Sequence, residues 1–221
     1  MTNIIKGKIK SANGSYFAND NISQYINDDD LKEIEQNVEK AMIDLLNALV
    51  IDTENDHNTM ETAKRVAKMY VHEVFKGRYL PAPKVTDFPN AKNLDQIYTI
   101  GPITVRSACS HHLVPIVGQA WIGVIPGERV IGISKFNRLV EWVMARPQIQ
   151  EESTVQLADE IENRIKPKAL AVVVKAQHMC MSWRGVRDNG SSMTTSVMRG
   201  FFRDDEKARN EFLSIIKGQG Y

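Results

Sequence analysis

Two short stretches carry the residues best able to do chemistry in this 221-residue chain. The first is Cys109-Ser110-His111-His112. On a tight turn, a two-residue gap lets Cys109 and His112 point at one ion. The second is Gln177-His178-Met179-Cys180-Met181, at the end of a valine-rich run. Alternation along a strand puts His178 and Cys180 on one face. Cys109, His112 and Cys180 together would offer zinc (Zn2+) two thiolates and one imidazole. Three protein ligands leave the fourth tetrahedral position for water, the arrangement of a catalytic zinc. A metal would also keep both sulfurs deprotonated at neutral pH. His111 and His178 are then left beside the ion, and imidazoles titrate near neutrality and carry protons. His57 and His72, the remaining two of five histidines, read as solvated. Taken singly, a free cysteine is usually a small buried hydrophobe. The spacing favours a metal without naming a reaction. It also leaves open a Cys109–Cys180 disulfide in an oxidising compartment.

These residues need elements to hold them. Leu31, Ile34, Val38, Met42, Leu45 and Leu49 recur at spacings of three and four, which predicts an amphipathic helix over 28–50. Asp28, Asp29 and Asp30 suit its N-terminus. Asn58-Thr59-Met60-Glu61 has the form of a capping box and opens a second helix that runs to Gly77. Prolines at 81, 83 and 89 make an irregular connector. Strand composition follows over 97–105, 114–125 and 130–133. Ser134 is placed to cap a helix over 135–145, and a further helix covers 153–165. The clearest strand spans 169–181, and a last helix covers 205–217. The order predicts an α+β fold. Residues 1–28, mostly polar, read as a flexible N-terminal arm, 29–94 as a helical segment and 95–221 as the catalytic domain.

Bulk properties set limits on partners. Hydrophobic residues make up 43% of the chain, enough for a core. A net charge of +1 creates no field that favours nucleic acid or membrane. An anionic small molecule would need a local basic cluster instead. The longest apolar runs fall short of a membrane span, and the N-terminus lacks a secretory signal pattern, which points to a cytoplasmic protein.

Ser107-Ala108-Cys109-Ser110-His111-His112 resembles the Cys-Glu-His-His segment of the GTP cyclohydrolase I family. So do Ile131-Gly132-Ile133-Ser134-Lys135-Phe136-Asn137-Arg138, Ala145-Arg146-Pro147-Gln148-Ile149-Gln150-Glu151, and His178-Met179-Cys180 followed by Arg184-Gly185-Val186-Arg187-Asp188. Met60-Glu61-Thr62, Arg65 and Ala67-Lys68-Met69-Tyr70-Val71 extend the likeness upstream. The resemblance implies a T-fold, an antiparallel sheet with helices on one face, behind an N-terminal helical segment. It implies Cys109, His112 and Cys180 as zinc ligands and His111 and His178 as proton carriers. Gln150 and Glu151 match the segment that anchors guanine, and Ser134 a serine near the ribose. Arg65, Lys68, Lys135, Arg138 and Arg184 match basic positions around the triphosphate. The activity it implies is hydrolysis of GTP to formate and 7,8-dihydroneopterin triphosphate, which opens pterin, folate or deazapurine biosynthesis. It also implies a homodecamer of two pentamers, with active sites between subunits.

Physics supports these roles independently. A carboxylate can accept paired hydrogen bonds from guanine N1–H and the 2-amino group, and such a site rejects adenine. Arginine grips phosphate oxygens in a fork. Lys135 and Arg138, three apart on one helix face, can share a phosphate. Three positions depart from the family pattern: Ser110 replaces a usual glutamate, Ala63 a usual proline, and Glu152-Ser153 a usual arginine and leucine. Exchanging arginine for glutamate beside Glu151 lowers local charge, which would weaken the guanine site or alter the subunit contact. The rival readings are another purine- or pterin-acting T-fold enzyme and a catalytically silent zinc-binding member.

Overall fold

The computed structural model describes residues 2–221, which fall into two compact units, the first ending at Pro81 and the second spanning Ala82–Tyr221. The first is helical. It contains α1 (Thr2–Ser11), α2 (Asp28–Ala48), α3 (Thr62–Lys68) and the short α4 (Lys76–Tyr79). Helix α1 lies where the sequence predicts a loose arm. Ile5 and Ile9, one turn apart, bury against Ile22, Tyr25, Ile26, Ile34 and Tyr79. Two apolar residues among lysines are too few to register as a period, yet enough to dock one turn-face.

Helix α2 starts as expected at Asp28, but Asn27 is the cap. Its side chain accepts from the amides of Asp29 and Asp30, and the Asp30 carboxylate accepts from the Asn27 amide. The second capping box does not form. Asn58 turns to Asp56, the Thr59 hydroxyl donates to Asp52 O at 2.7 Å, and α3 begins only at Thr62. Beyond Lys68 the helix widens into a π-helical stretch, Met69–Val74, with a Phe75 amide to Tyr70 carbonyl bond of 2.9 Å.

The second unit opens with β1 (Asp87–Pro89), β2 (Tyr98–Cys109), β3 (Pro115–Ile125) and β4 (Arg129–Ile131). Then come α5 (Ile133–Met144), β5 (Pro147–Gln148), α6 (Gln150–Ile165) and β6 (Ala169–His178). The chain ends with α7 (Met179–Ser182), β7 (Met193–Gly200), α8 (Phe201–Asp204) and α9 (Glu206–Gly218). The boundary precedes the expected residue 94 because β1 pairs with β4, which ties the proline-rich connector to this unit.

The main sheet has the order β5-β2-β3-β6-β7 and is antiparallel apart from the short β2–β5 pairing. This is the expected α+β arrangement. Ala120, Ile122 and Val124 of β3 and Leu170, Val172 and Val174 of β6 bury on one face against α5 and α6. Trp121, Ala171 and Val173 bury on the other, against Phe202, Phe212 and Ile216 of α8 and α9. Helices α5 and α6 thus cover one face as expected, and α9 adds cover to the opposite one. Burial on both faces is why β6 reads as a continuous apolar run rather than an alternation. Strand β7 was not expected from the sequence. Its Thr, Ser and Met residues form a sheet edge, and Arg199 ties it to Asp159 at 2.5 Å and to Glu162 on α6. Among the described residues no helix is long and apolar enough to cross a membrane.

Candidate functional site

Strand β2 ends at Cys109, and the chain reverses into β3 through a tight turn. The Leu113 amide donates to Cys109 O at 2.8 Å and the Cys109 amide to Val114 O at 2.9 Å. Leu113 closes the turn in the left-handed region, at φ 55°. That conformation costs a residue other than glycine about 1 kcal/mol, and the hairpin bonds hold it. The start of β3 pairs with the end of β6, Ile116 opposite His178, so the turn lies beside the residues that follow β6. Cys180 is among them.

One donor atom each from Cys109, His112 and Cys180 lies within 4.8 Å of the other two. The Cys109 sulfur is 4.0 Å from His112 Nδ1, above a small apolar floor of Ile116, Ala176 and Val114. The route to this cluster differs from the expected one. Strand β6 stops at His178, and Cys180 sits in the helical turn α7, closed by the Trp183 amide on Met179 O at 3.0 Å. Strand alternation therefore does not set its direction. Burial first, and the Cys109 sulfur second, push the Cys180 thiol above its ordinary pKa. Two sulfurs and one imidazole at this separation suit a borderline-soft cation such as zinc, and suit calcium or magnesium poorly. Arg184 Nη1 is 3.0 Å from His112 Nε2, which leaves Nδ1 as the nitrogen on the sulfur side.

His178 is half-buried, and its Nε2 lies 2.9 Å from Gln150 Oε1. Burial holds its imidazole below the ordinary pKa, with Glu151 pulling the other way. His111 is exposed, its ring edge-on to His112 with centroids 6.3 Å apart. Gln150, expected in the guanine-anchoring segment, turns its side chain inward. It is 3% exposed, and its Nε2 is spent on Val174 O, Met193 O and Thr195 Oγ1. The glutamine begins α6 with its side chain turned towards the sheet, whereas the next residue, Glu151, is exposed.

The structure gathers Cys109, His112, Cys180 and Arg184 into one cluster and joins His178 to Gln150 and Glu151. Ser134, Lys135 and Arg138 lie in the first turns of α5, while Phe136, Leu139 and Val140 point into the core. Ser134 does not cap the helix. Gly132 holds the cap position, and no side chain closes it. Among the described residues no hydrogen bond or ion pair joins Ser134, Lys135 or Arg138 to the cysteine–histidine cluster. Arg65 and Lys68 are exposed on α3 of the first unit. Sequence reasoning missed Thr154 and Thr195, which lie 2.7 Å apart beneath Gln150. The one sequence signal for Thr195 is the strand composition of the Thr-Thr-Ser-Val run of β7.

A profile described as GTP cyclohydrolase I matches residues 38–217. A protein of Aliivibrio salmonicida named GTP cyclohydrolase 1 is 39% identical over 187 residues, covering 84% of this chain and 86% of its own length. A protein of the same name from Edwardsiella ictaluri is 40% identical over 181 residues, covering 81% and 82%.

Proposed function

The chain belongs to the GTP cyclohydrolase I family, and from that premise we propose that it hydrolyses GTP at C8, the first step of pterin and folate biosynthesis. The observation that carries the reading is the convergence of Cys109, His112 and Cys180 beside the His178–Glu151 pair. Cys109, His112 and Cys180 would hold zinc. Bound there, zinc supplies Lewis acidity that makes water a nucleophile near neutral pH.

The chain's own residues do the rest. Glu151 accepts the guanine N1–H and 2-amino hydrogens, which fixes the base and selects against adenine. His178 delivers a proton to N7 while the C8–N bonds break and C8 leaves as formate. His111, exposed on the neighbouring turn, serves as second proton carrier for the later ring opening and rearrangement of the ribose, which closes 7,8-dihydroneopterin triphosphate. Ser134 contacts the ribose. Arg184, Lys135 and Arg138 counter the triphosphate charge, arginine by paired hydrogen bonds.

Assembly into a homodecamer of two pentamers in the cytoplasm completes the reading. The edge strand β7 and the exposed Trp183, Val186 and Phe201 in the second unit support it, as sites for contact between copies. Incubating the purified protein with GTP, with zinc analysis of the same sample, tests the proposal. Formate and a fluorescent pterin after oxidation are expected. A zinc-loaded protein that releases neither overturns it.

A further inference from the structure

Two of the three acceptors that hold Gln150 are backbone carbonyls and cannot change role. Its Nε2 lies 3.0 Å from Val174 O, 3.1 Å from Met193 O and 3.1 Å from Thr195 Oγ1. A backbone carbonyl only accepts, so turning the amide over would press Oε1 against two oxygens. The backbones of β6 and β7 therefore dictate which amide atom faces outward. The hydroxyls agree with this polarity. Thr154 donates to Gln150 O at 2.7 Å, so in its 2.7 Å contact with Thr195 it must accept. Thr195 then donates its hydrogen to Thr154 and accepts from Gln150 Nε2. Each hydroxyl gives once and receives once, and the ring of bonds closes on Gln150.

With Nε2 committed inward, Oε1 is what His178 meets, 2.9 Å from its Nε2. An amide oxygen cannot donate, so the hydrogen belongs to the imidazole. We propose that Gln150 is a positioning residue that holds His178 as the Nε2–H tautomer, which makes Nδ1 the nitrogen that exchanges a proton with substrate. Thr154 and Thr195 act one step further back, as the lock on the amide. The inference rests on the reading of His178 as a proton carrier. It also explains why a glutamine expected at the guanine is buried at 3% exposure: its work is done through another side chain.

Solid-state 15N NMR of zinc-loaded protein labelled at the histidine ring nitrogens tests this directly. His178 is assigned by the signals lost in His178→Gln, at a pH where the ring is neutral. A pyrrole-type Nε2 and a pyridine-type Nδ1 are expected. The reverse assignment, or an equal mixture, overturns the proposal, and this spectrum needs only the natural protein. The second arm is Gln150→Met, which keeps length and burial but removes the acceptor. The His178 signals should become a tautomer mixture and kcat should fall about tenfold or more, with KM nearly unchanged. A raised KM with kcat retained would instead mark Gln150 as a substrate contact and overturn it. Failure of the underlying reading looks different: His178→Ala would release formate at the natural rate, whatever the tautomer.

Discussion

Two thiols packed side by side resist losing both protons, because each thiolate raises the cost of the other. The Cys180 thiol is raised in pKa, by burial first and the neighbouring Cys109 sulfur second, and a divalent cation bound by the thiolate would reverse it. Cys180→Ser is close to isosteric and sits in a half-buried helical turn, so the fold should survive it. Metal analysis of the natural protein should return on the order of one zinc per chain and that of the variant close to none. A variant that keeps full zinc would remove Cys180 from the ligand set. His178 is expected to behave oppositely. His178→Ala should retain zinc and lose activity by about a hundredfold or more, the range of a general acid–base residue. Which histidine acts first is read from intermediates. His178→Ala should stop before formate is released, whereas His111→Ala should release formate and accumulate the deformylated diaminopyrimidine nucleotide. If both variants stopped at the same first step, the division of labour would be wrong.

At the scale of elements, the sheet is held by close approaches that leave no room for a side chain. Gly123 on β3 faces α9, where an added Cβ would lie 2.5 Å from the Phe212 ring. Phe212 is fully buried between the sheet and Phe202 and has no space to retreat. Gly123→Ala should therefore cost about 1–3 kcal/mol by overpacking, a fall of several degrees in Tm for a chain of this length. A double variant with Phe212→Leu should recover part of it. Calorimetry of the two checks both, and an unchanged Tm in the single variant would place α9 elsewhere. The end of α6 offers the opposite case. Lys166 closes that helix in the left-handed region, at φ 41°, with its amide on Glu162 O. Glycine there relieves the backbone strain, so Lys166→Gly should stabilise by roughly 0.5–1 kcal/mol. Urea denaturation measures the gain, and a loss would mean that the lysine side chain contributes more than its backbone costs.

For the molecule as a whole, a ligand that binds only the folded state raises stability by mass action. Zinc bridging the β2–β3 turn and the residues after β6 should raise Tm by several degrees at saturating metal, since about 2.7 kcal/mol follows from a hundredfold excess over Kd. Scanning calorimetry with and without chelator reads it. A Tm indifferent to metal would mean that the cluster binds none in the folded protein. The outline of this chemistry was legible in one dimension: cysteine and histidine spacing marked the residues that cluster, and apolar periods marked α2, β3 and β6. Such features are local, because chelate bite, helical repeat and strand burial act over a few residues. Other features were not local. Strand alternation pointed to Cys180, yet the residue reaches the cluster through a helical turn that begins where β6 ends. Ile5 and Ile9 gave no period of their own and acquired a partner in Ile22 only on folding. Gln150 and Glu151 are adjacent in the chain, but one is buried against Val174, Met193 and Thr195 while the other stays exposed. Which of two neighbours faces inward depends on two carbonyls and a hydroxyl contributed from residues 24 to 45 positions away. Residue types and short spacings marked which atoms could hold a metal and carry protons, and the family resemblance of the motifs named the reaction. Tertiary packing decided which side chains touch each other, because hydrogen-bond polarity and burial are set by neighbours that only the fold supplies.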